Sequence, residues 1–179
     1  GILNYDDEKY GTKISDIFLK NEKEDKVYFD SSIFIEYTIL SQLSHLNIIE
    51  CPEIKVKNME IRYKIKSYWS DLHVWSKYRY KEELKYYFTI IFSKVCDGLQ
   101  FLHSNNIVHG DLKPSNIVKD GLNVSLIDFG NSIIGKVDGN KITYSRNYST
   151  PVFRSPEALQ NIYFGPENDI WSLGMTMYF

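Results

Sequence analysis

Residues 107–118 read IVHGDLKPSNIV, and residues 126–132 read LIDFGNS. These two stretches hold a lone Asp111, Lys113 two residues on, Asn116 three beyond that, and Asp128 twelve positions after Asn116. Pro114 blocks helix and favours a fixed loop, the setting needed by groups that must be held to fractions of an ångström. The apolar pieces NIVK (116–119) and VSLIDF (124–129), joined by the turn DGLN (120–123), read as a pair of short strands.

Upstream, KEELKYYFTIIFSKVCDGLQFLHSNN (81–106) has the clearest helical period in the chain. Leu84, Phe88, Ile91, Val95, Leu99 and Leu102 fall on one face, and Asn105-Asn106 ends the helix. SIFIEYTILSQLSHL (32–46) repeats Ile35, Ile39, Leu43 and Leu46 every three or four positions, an amphipathic helix that Asp30, Ser31 or Ser32 can cap. KISDIFLK (13–20) and KVYFD (26–30) flank the polar run NEKED and read as a hairpin. Two more short strands are expected between Pro52 and about Trp69.

Downstream, residues 131–150 are polar, carry Gly135 and Gly139 and show no periodicity; a loop of that length in a compact domain is usually functional. Ser155-Pro156-Glu157 supplies a capping hydroxyl, a first-turn proline and an acid at the positive end of a short helix. The last eleven residues, DIWSLGMTMYF, are apolar on nearly every face and read as a buried helix needing neighbours around Trp171, Met175 and Phe179, hence as a piece of a longer parent. Strands with one helix first and helices afterwards give a two-lobed α+β order.

The bulk numbers set limits on function. The 179 residues are 43% hydrophobic and 25% charged, a globular composition able to bury a core. A net charge of -2 argues against nucleic acid or a membrane surface held by bulk charge. Cys51 and Cys96 form no Cys-x-x-Cys pair and are expected as reduced thiols. With no basic leader ahead of an apolar run and no stretch of ~18 apolar residues, the expected location is cytoplasmic or nuclear.

The polar set suits phosphoryl transfer, in which the protein positions a hydroxyl, holds magnesium on the phosphates and screens developing charge. A carboxylate accepts the hydroxyl proton, a lysine beside it neutralises the migrating group, and an Asn and a second Asp give the hard oxygens magnesium prefers. Asp111, Lys113, Asn116 and Asp128 are that set. HGDLKPSN (109–116), DFG (128–130), STPVFRSPE (149–157) and NDIWSLG (168–174), in this order, resemble the catalytic core of the eukaryotic protein-kinase family, over roughly Ile33 to Phe179.

The resemblance implies a two-lobed protein-kinase-like fold: residues 1–69 as a partial, β-rich N-lobe with one helix, and 70–179 as a partial, mainly helical C-lobe. It implies an ATP- and magnesium-dependent serine/threonine protein kinase acting on a protein substrate. Asp111 would be the catalytic base, Lys113 the phosphate-contacting lysine, and Asn116 and Asp128 the magnesium ligands. Thr150 would line the substrate-docking loop and Glu157 anchor it. Asp169 would brace the catalytic loop, Glu36 would pair with the nucleotide-binding lysine, and His109 would be structural. Tyr144, Ser145, Tyr148 and Ser149 are loop hydroxyls open to phosphorylation.

Three departures from the family pattern matter. Gly110 stands where many members carry the arginine that grips an activation-loop phosphate, so activity is not expected to depend on phosphorylation within 131–150. No Gly-x-Gly-x-x-Gly occurs, since Gly1 and Gly11 are the only glycines before Gly98. The nucleotide-binding lysine has two readings. IFLK nominates Lys20, with sixteen residues to Glu36 but bulky Phe18 against adenine, whereas alignment on VYFD puts Asp30 in the lysine's place. HGDLKPSN and IDFG also resemble small-molecule phosphotransferases of the aminoglycoside and choline kinase type, which do not need STPVFRSPE or DIWSLG. A pseudokinase or truncated mimic acting by binding is the other reading that these departures allow.

Overall fold

The computed structural model describes residues 2–5, 9–21, 26–78, 81–139, 141–144 and 150–178. The side chains of Phe18, Lys20 and Leu84 lie outside the described residues, as do Ser145, Tyr148, Ser149 and Phe179.

Strands β1 (Ile2–Tyr5) and β2 (Tyr10–Asp16) pair antiparallel, and β3 (Phe18–Asn21) forms a hairpin with β4 (Lys26–Phe29). The hairpin expected over 13–30 is therefore shorter, because Lys13–Asp16 belong to β2. Buried Ile17 makes the break, donating its N–H to the Met59 carbonyl and accepting from the Asp30 N–H. Helix α1 (Ser31–Gln42) follows, capped by the Asp30 carboxylate, which accepts from the Ser32 N–H at 3.0 Å. Ile33, Ile39 and Leu40 are buried on α1, while Leu46 lies past its end and is 92% exposed. The acid Glu36 shares the buried face instead.

Strands β5 (Glu53–Lys57) and β6 (Glu60–Lys66) are joined by Asn58-Met59, both left-handed at φ 52° and 61°, a two-residue turn whose twist matches the strands. The sheet order is β1-β2-β6-β5, and Ile61 and Tyr63 of β6 point into the core. Next come β7 (Ser70–Asp71), α2 (Leu72–Lys77) and the long α3 (Lys81–Ser104). On α3 the expected face is buried at Ile91, Val95, Leu99 and Leu102, whereas Phe88 is half exposed. Gly98 lets α3 approach closely: a Cβ there would stand 3.0 Å from the Asn47 carbonyl oxygen. The helix ends as expected, with left-handed Asn106.

Strand β8 (Ile107–Val108) leads into the polar stretch 109–116, and β9 (Ile117–Asp120) pairs with β10 (Asn123–Leu126) as expected. β7 joins the far side of β9, giving the order β10-β9-β7. Within 131–150, the described residues hold short strands as well as loop. β11 (Ile133–Ile134) pairs with β8, and β12 (Lys136–Asp138) forms a small hairpin with β13 (Lys141–Thr143). Two short pieces close the chain: α4 (Pro156–Leu159), whose cap Ser155 accepts from the Ala158 N–H, and α5 (Pro166–Tyr178). α5 does not bury every face. Asp169, Ser172, Leu173 and Thr176 are covered, while Ile170 and Trp171 are 56% and 45% exposed. The outcome is the expected α+β architecture, and no described helix is long and apolar enough to cross a membrane.

Candidate active site

One buried acid organises the turn after β8. Asp169, on the first turn of α5, accepts the His109 N–H at 2.8 Å on Oδ2 and the Gly110 N–H at 2.9 Å on Oδ1, with His103 Nε2 2.8 Å from Oδ2. Two adjacent backbone donors are thereby fixed by a helix that lies sixty residues away in sequence. Gly110 takes φ 80°, a left-handed backbone that a side chain there would strain. His109 is wholly buried. Its Nε2 lies 3.1 Å from the Ile127 carbonyl and its Nδ1 3.3 Å from the Asp111 nitrogen, contacts that a neutral ring protonated on Nε2 satisfies together. With Phe129 packed at 5.3 Å, His109 is a brace between the two loops.

Asp111 emerges from this frame with its carboxylate held on both oxygens. Lys113 Nζ donates to Oδ2 at 2.7 Å and the Thr150 N–H to Oδ1 at 2.8 Å, while Lys113 also donates to Thr150 Oγ1 at 2.9 Å. Burial works to raise the pKa of this acid, but the hydrogen bonds from Lys113 and Thr150 and the lysine charge outweigh it, so the carboxyl sits below its ordinary range. Asn116 is buried, and its Nδ2 donates to the Asp111 carbonyl at 2.9 Å, which fixes the amide and leaves Oδ1 as its acceptor end. The Asn116 carbonyl in turn accepts the Ile127 N–H at 3.0 Å, tying the residue before Asp128 to the same loop. Asp128 is exposed with a left-handed φ of 65°, whereas Phe129 beside it is wholly buried. Burying the ring on one side of this strained residue leaves the carboxylate at the surface.

The lysine facing Glu36 is Lys13, and neither sequence alternative identified it. Lys13 Nζ lies 2.7 and 2.8 Å from the two Glu36 oxygens, with side-chain exposures of 24% for Lys13 and 7% for Glu36. Lys13 lies on β2, inside the sheet order, and Glu36 on α1, whereas Lys20 lies on β3 in a separate hairpin. A usable signal was present: Gly11, two residues before Lys13, is the small residue that the family pattern wants ahead of its lysine, and it shares the lysine's strand face. Cys51 is influenced by the charges of this pair, yet burial dominates and pushes its thiol up to about 11, so both free cysteines behave as structural thiols.

A cavity of about 360 Å³ opens between the sheet and the loops. Gly11, Ile49, Ile65, Val118 and Ile127 give it apolar walls, and Ser67, Ser70, Asp71 and Ser115 give it polar positions. Asp71 and the run 66–70 that lines the cavity were missed from sequence because no periodicity marks them. An apolar slot with a few convergent polar groups is the usual form of a small-molecule site. Among the described residues no three His, Cys, Asp or Glu side chains stand together to hold a metal. Asn116 and Asp128 nevertheless offer side-chain oxygens of the kind taken by magnesium, which needs one or two protein ligands and shares the rest of its shell with phosphates and water.

A family model described as the protein kinase domain matches residues 4–179. CBL-interacting protein kinase 1 of Oryza sativa subsp. japonica is 30% identical over 153 residues, which cover 84% of this chain and 33% of that protein. A calcium/calmodulin-dependent protein kinase kinase of Caenorhabditis elegans is 33% identical over 152 residues, covering 80% of this chain and 27% of that protein. Serine/threonine protein kinase OSK3 of Oryza sativa subsp. indica is 39% identical over 90 residues, 49% of this chain and 17% of that protein. The chain thus spans a third or less of the length of these curated relatives.

Proposed function

We propose that this chain, which belongs to the protein kinase domain family, carries the catalytic set of a serine/threonine kinase that moves the γ-phosphoryl group of ATP to a protein hydroxyl. The observation that supports this best is the triangle of Asp111, Lys113 and Thr150, closed by contacts of 2.7, 2.8 and 2.9 Å. It joins the loop after β8 to the segment before α4 at one carboxylate, where a docked side-chain hydroxyl would lie.

In this reading Asp111 accepts the proton of the attacking hydroxyl. Its depressed pKa keeps it ionised and oriented, so it acts mainly by aligning the nucleophile and receives the proton late. Lys113, within reach of both Asp111 and Thr150, supplies positive charge where the phosphoryl group crosses. Lys13, steered by Glu36, holds the phosphates from the sheet side, and the apolar cavity around Gly11 and Val118 takes the base. Asn116 and Asp128 are the residues that would hold magnesium, which when bound neutralises phosphate charge. Positioning of this kind supplies ~7–11 kcal/mol of such a barrier. We read residues 1–69 and 70–179 as parts of the two lobes that close over that cavity.

The test is transfer of label from γ-labelled ATP and magnesium to casein, by the chain within its full-length protein. Asp111→Asn is expected to lower the rate by ~10²–10⁴-fold, the usual contribution of a positioned base, without loss of nucleotide binding. Label on a small alcohol but not on casein would move the chain to the small-molecule phosphotransferases. Nucleotide binding with no transfer to any acceptor would make it a mimic acting by binding.

A further inference from the structure

β9 carries a cation where its neighbours carry hydrocarbon. Alternate residues of a strand share a face, so Lys119 lies on the side of wholly buried Ile117 and is itself only 7% exposed. An ammonium in that position is costly unless something replaces its water. Two aromatic rings contribute to that replacement. Lys119 Nζ stands 4.7 Å from the centroid of Trp75 and 5.3 Å from that of Tyr87, and the two rings meet edge to face at 5.7 Å.

The three residues come from three elements: Lys119 from β9, Trp75 from α2 and Tyr87 from α3. The backbone reinforces the same junction, since Lys119 pairs with Ser70 and Val118 with Asp71. Asp71 then caps α2, accepting the Val74 N–H at 2.8 Å. Ser70, Asp71 and Val74 line one side of the 360 Å³ cavity, and Ser115, Val118 and Ile127 line another. The aromatic corner therefore fixes one cavity wall against the other without touching what lies inside.

We propose that Lys119 is a positioning residue for the nucleotide: its ammonium, seated between Trp75 and Tyr87, locks α2 onto β9 and so sets the width of the cavity mouth. This inference rests on the kinase reading above. Burial of the charge makes the lock strong, and the flat guanidinium of an arginine could replace it because it also stacks on aromatic faces.

The experiment titrates the full-length protein with magnesium-ADP by calorimetry and measures KM for ATP and kcat on casein. Lys119→Met, which keeps the chain length and removes the charge, is expected to weaken magnesium-ADP binding about tenfold and raise KM for ATP alike, as loss of a desolvated cation–π contact implies, with kcat within about twofold. Lys119→Arg should restore affinity. Trp75→Leu should reproduce the loss, and the double variant Lys119→Met/Trp75→Leu should lose no more than either single one. A residue of purely structural importance would lower the melting temperature without this split between KM and kcat. Unchanged nucleotide affinity in folded Lys119→Met, or in Trp75→Leu if Lys119→Met does not fold, overturns the inference and leaves the kinase reading standing. Absence of magnesium-ADP binding by the unmodified protein overturns both.

Discussion

Replacing Lys13 with methionine is the most informative single perturbation, because it separates the observed ion pair from the pairing that spacing alone suggested. At 2.7 Å and an effective dielectric of about 20, the gross attraction between Lys13 and Glu36 is ~6 kcal/mol, most of it offset by the desolvation both groups have already undergone. Removing one partner of a fully buried pair costs ~3–5 kcal/mol. Lys13 retains 24% side-chain exposure, so water can enter beside Glu36, and the expected loss falls to ~2–3 kcal/mol. With a urea slope of ~1–3 kcal/mol/M, the unfolding midpoint measured by circular dichroism should fall by roughly 0.7–3 M. Glu36→Gln should cost less, since it leaves a partly solvated cation, and the double variant should be less than additive. Lys20→Met, on β3 in the separate hairpin, should cost less stability than Lys13→Met and leave nucleotide binding intact. If Lys20→Met matches or exceeds Lys13→Met in lost stability and lost nucleotide binding, the assignment of Lys13 is wrong.

Gly98→Ala should destabilise by ~1–3 kcal/mol, because its Cβ would press on the Asn47 carbonyl at 3.0 Å and on Leu126 at 3.2 Å; thermal melting checks this. Because the folded-state pKa of Asp111 is depressed, its ionised form stabilises the fold fully above the ordinary carboxylate value of ~3.9, and that stability is lost as pH falls through the lower folded value. Acid unfolding of Asp111→Asn should lack this component, and an identical acid limb in both proteins would contradict the Lys113 and Thr150 contacts. With no arginine at position 110 to receive a phosphate, phosphatase treatment should leave transfer activity within about twofold, and a large drop would show another receptor.

The sequence was most legible where chemistry and local pattern coincide. Asp111, Lys113, Asn116 and Asp128 were singled out because a proline-fixed loop and an Asp-Phe-Gly turn mark them within a few residues, and the structure joins Asp111 to Lys113 and to Asn116. α3 was legible because Val95, Leu99 and Leu102 keep one period; of 53–66 only two short strands were legible, because Asn58-Met59 lacks the glycine that usually marks a two-residue turn. Lys13 escaped because β2 reverses the usual alternation. Its inward face carries Gly11, Lys13 and Ser15, its outward face carries Ile14, and hydrophobic patterning therefore points to the wrong side. Which lysine meets Glu36 depends on the pairing of β2 with β6, a long-range contact that spacing along the chain does not encode. The small hairpin of β12 and β13 escaped for a related reason. Its side chains are exposed on both strands, so burial imposes no period on them. On α5 the covered residues include Asp169, Ser172 and Thr176, so a helix that looks uniformly apolar in fact turns its polar edge inward, where Asp169 holds the loop after β8.

The most direct check of the central claim is a manganese titration, followed by electron paramagnetic resonance, of the full-length protein saturated with ADP. Asn116→Ala and Asp128→Ala should each weaken manganese binding by about tenfold or more, as loss of a metal ligand or its orienting partner typically does, while Asp111→Asn should leave it unchanged. Equal manganese affinity in all four proteins would mean that Asn116 and Asp128 do not share an ion with the nucleotide, and the proposed site would have to be abandoned.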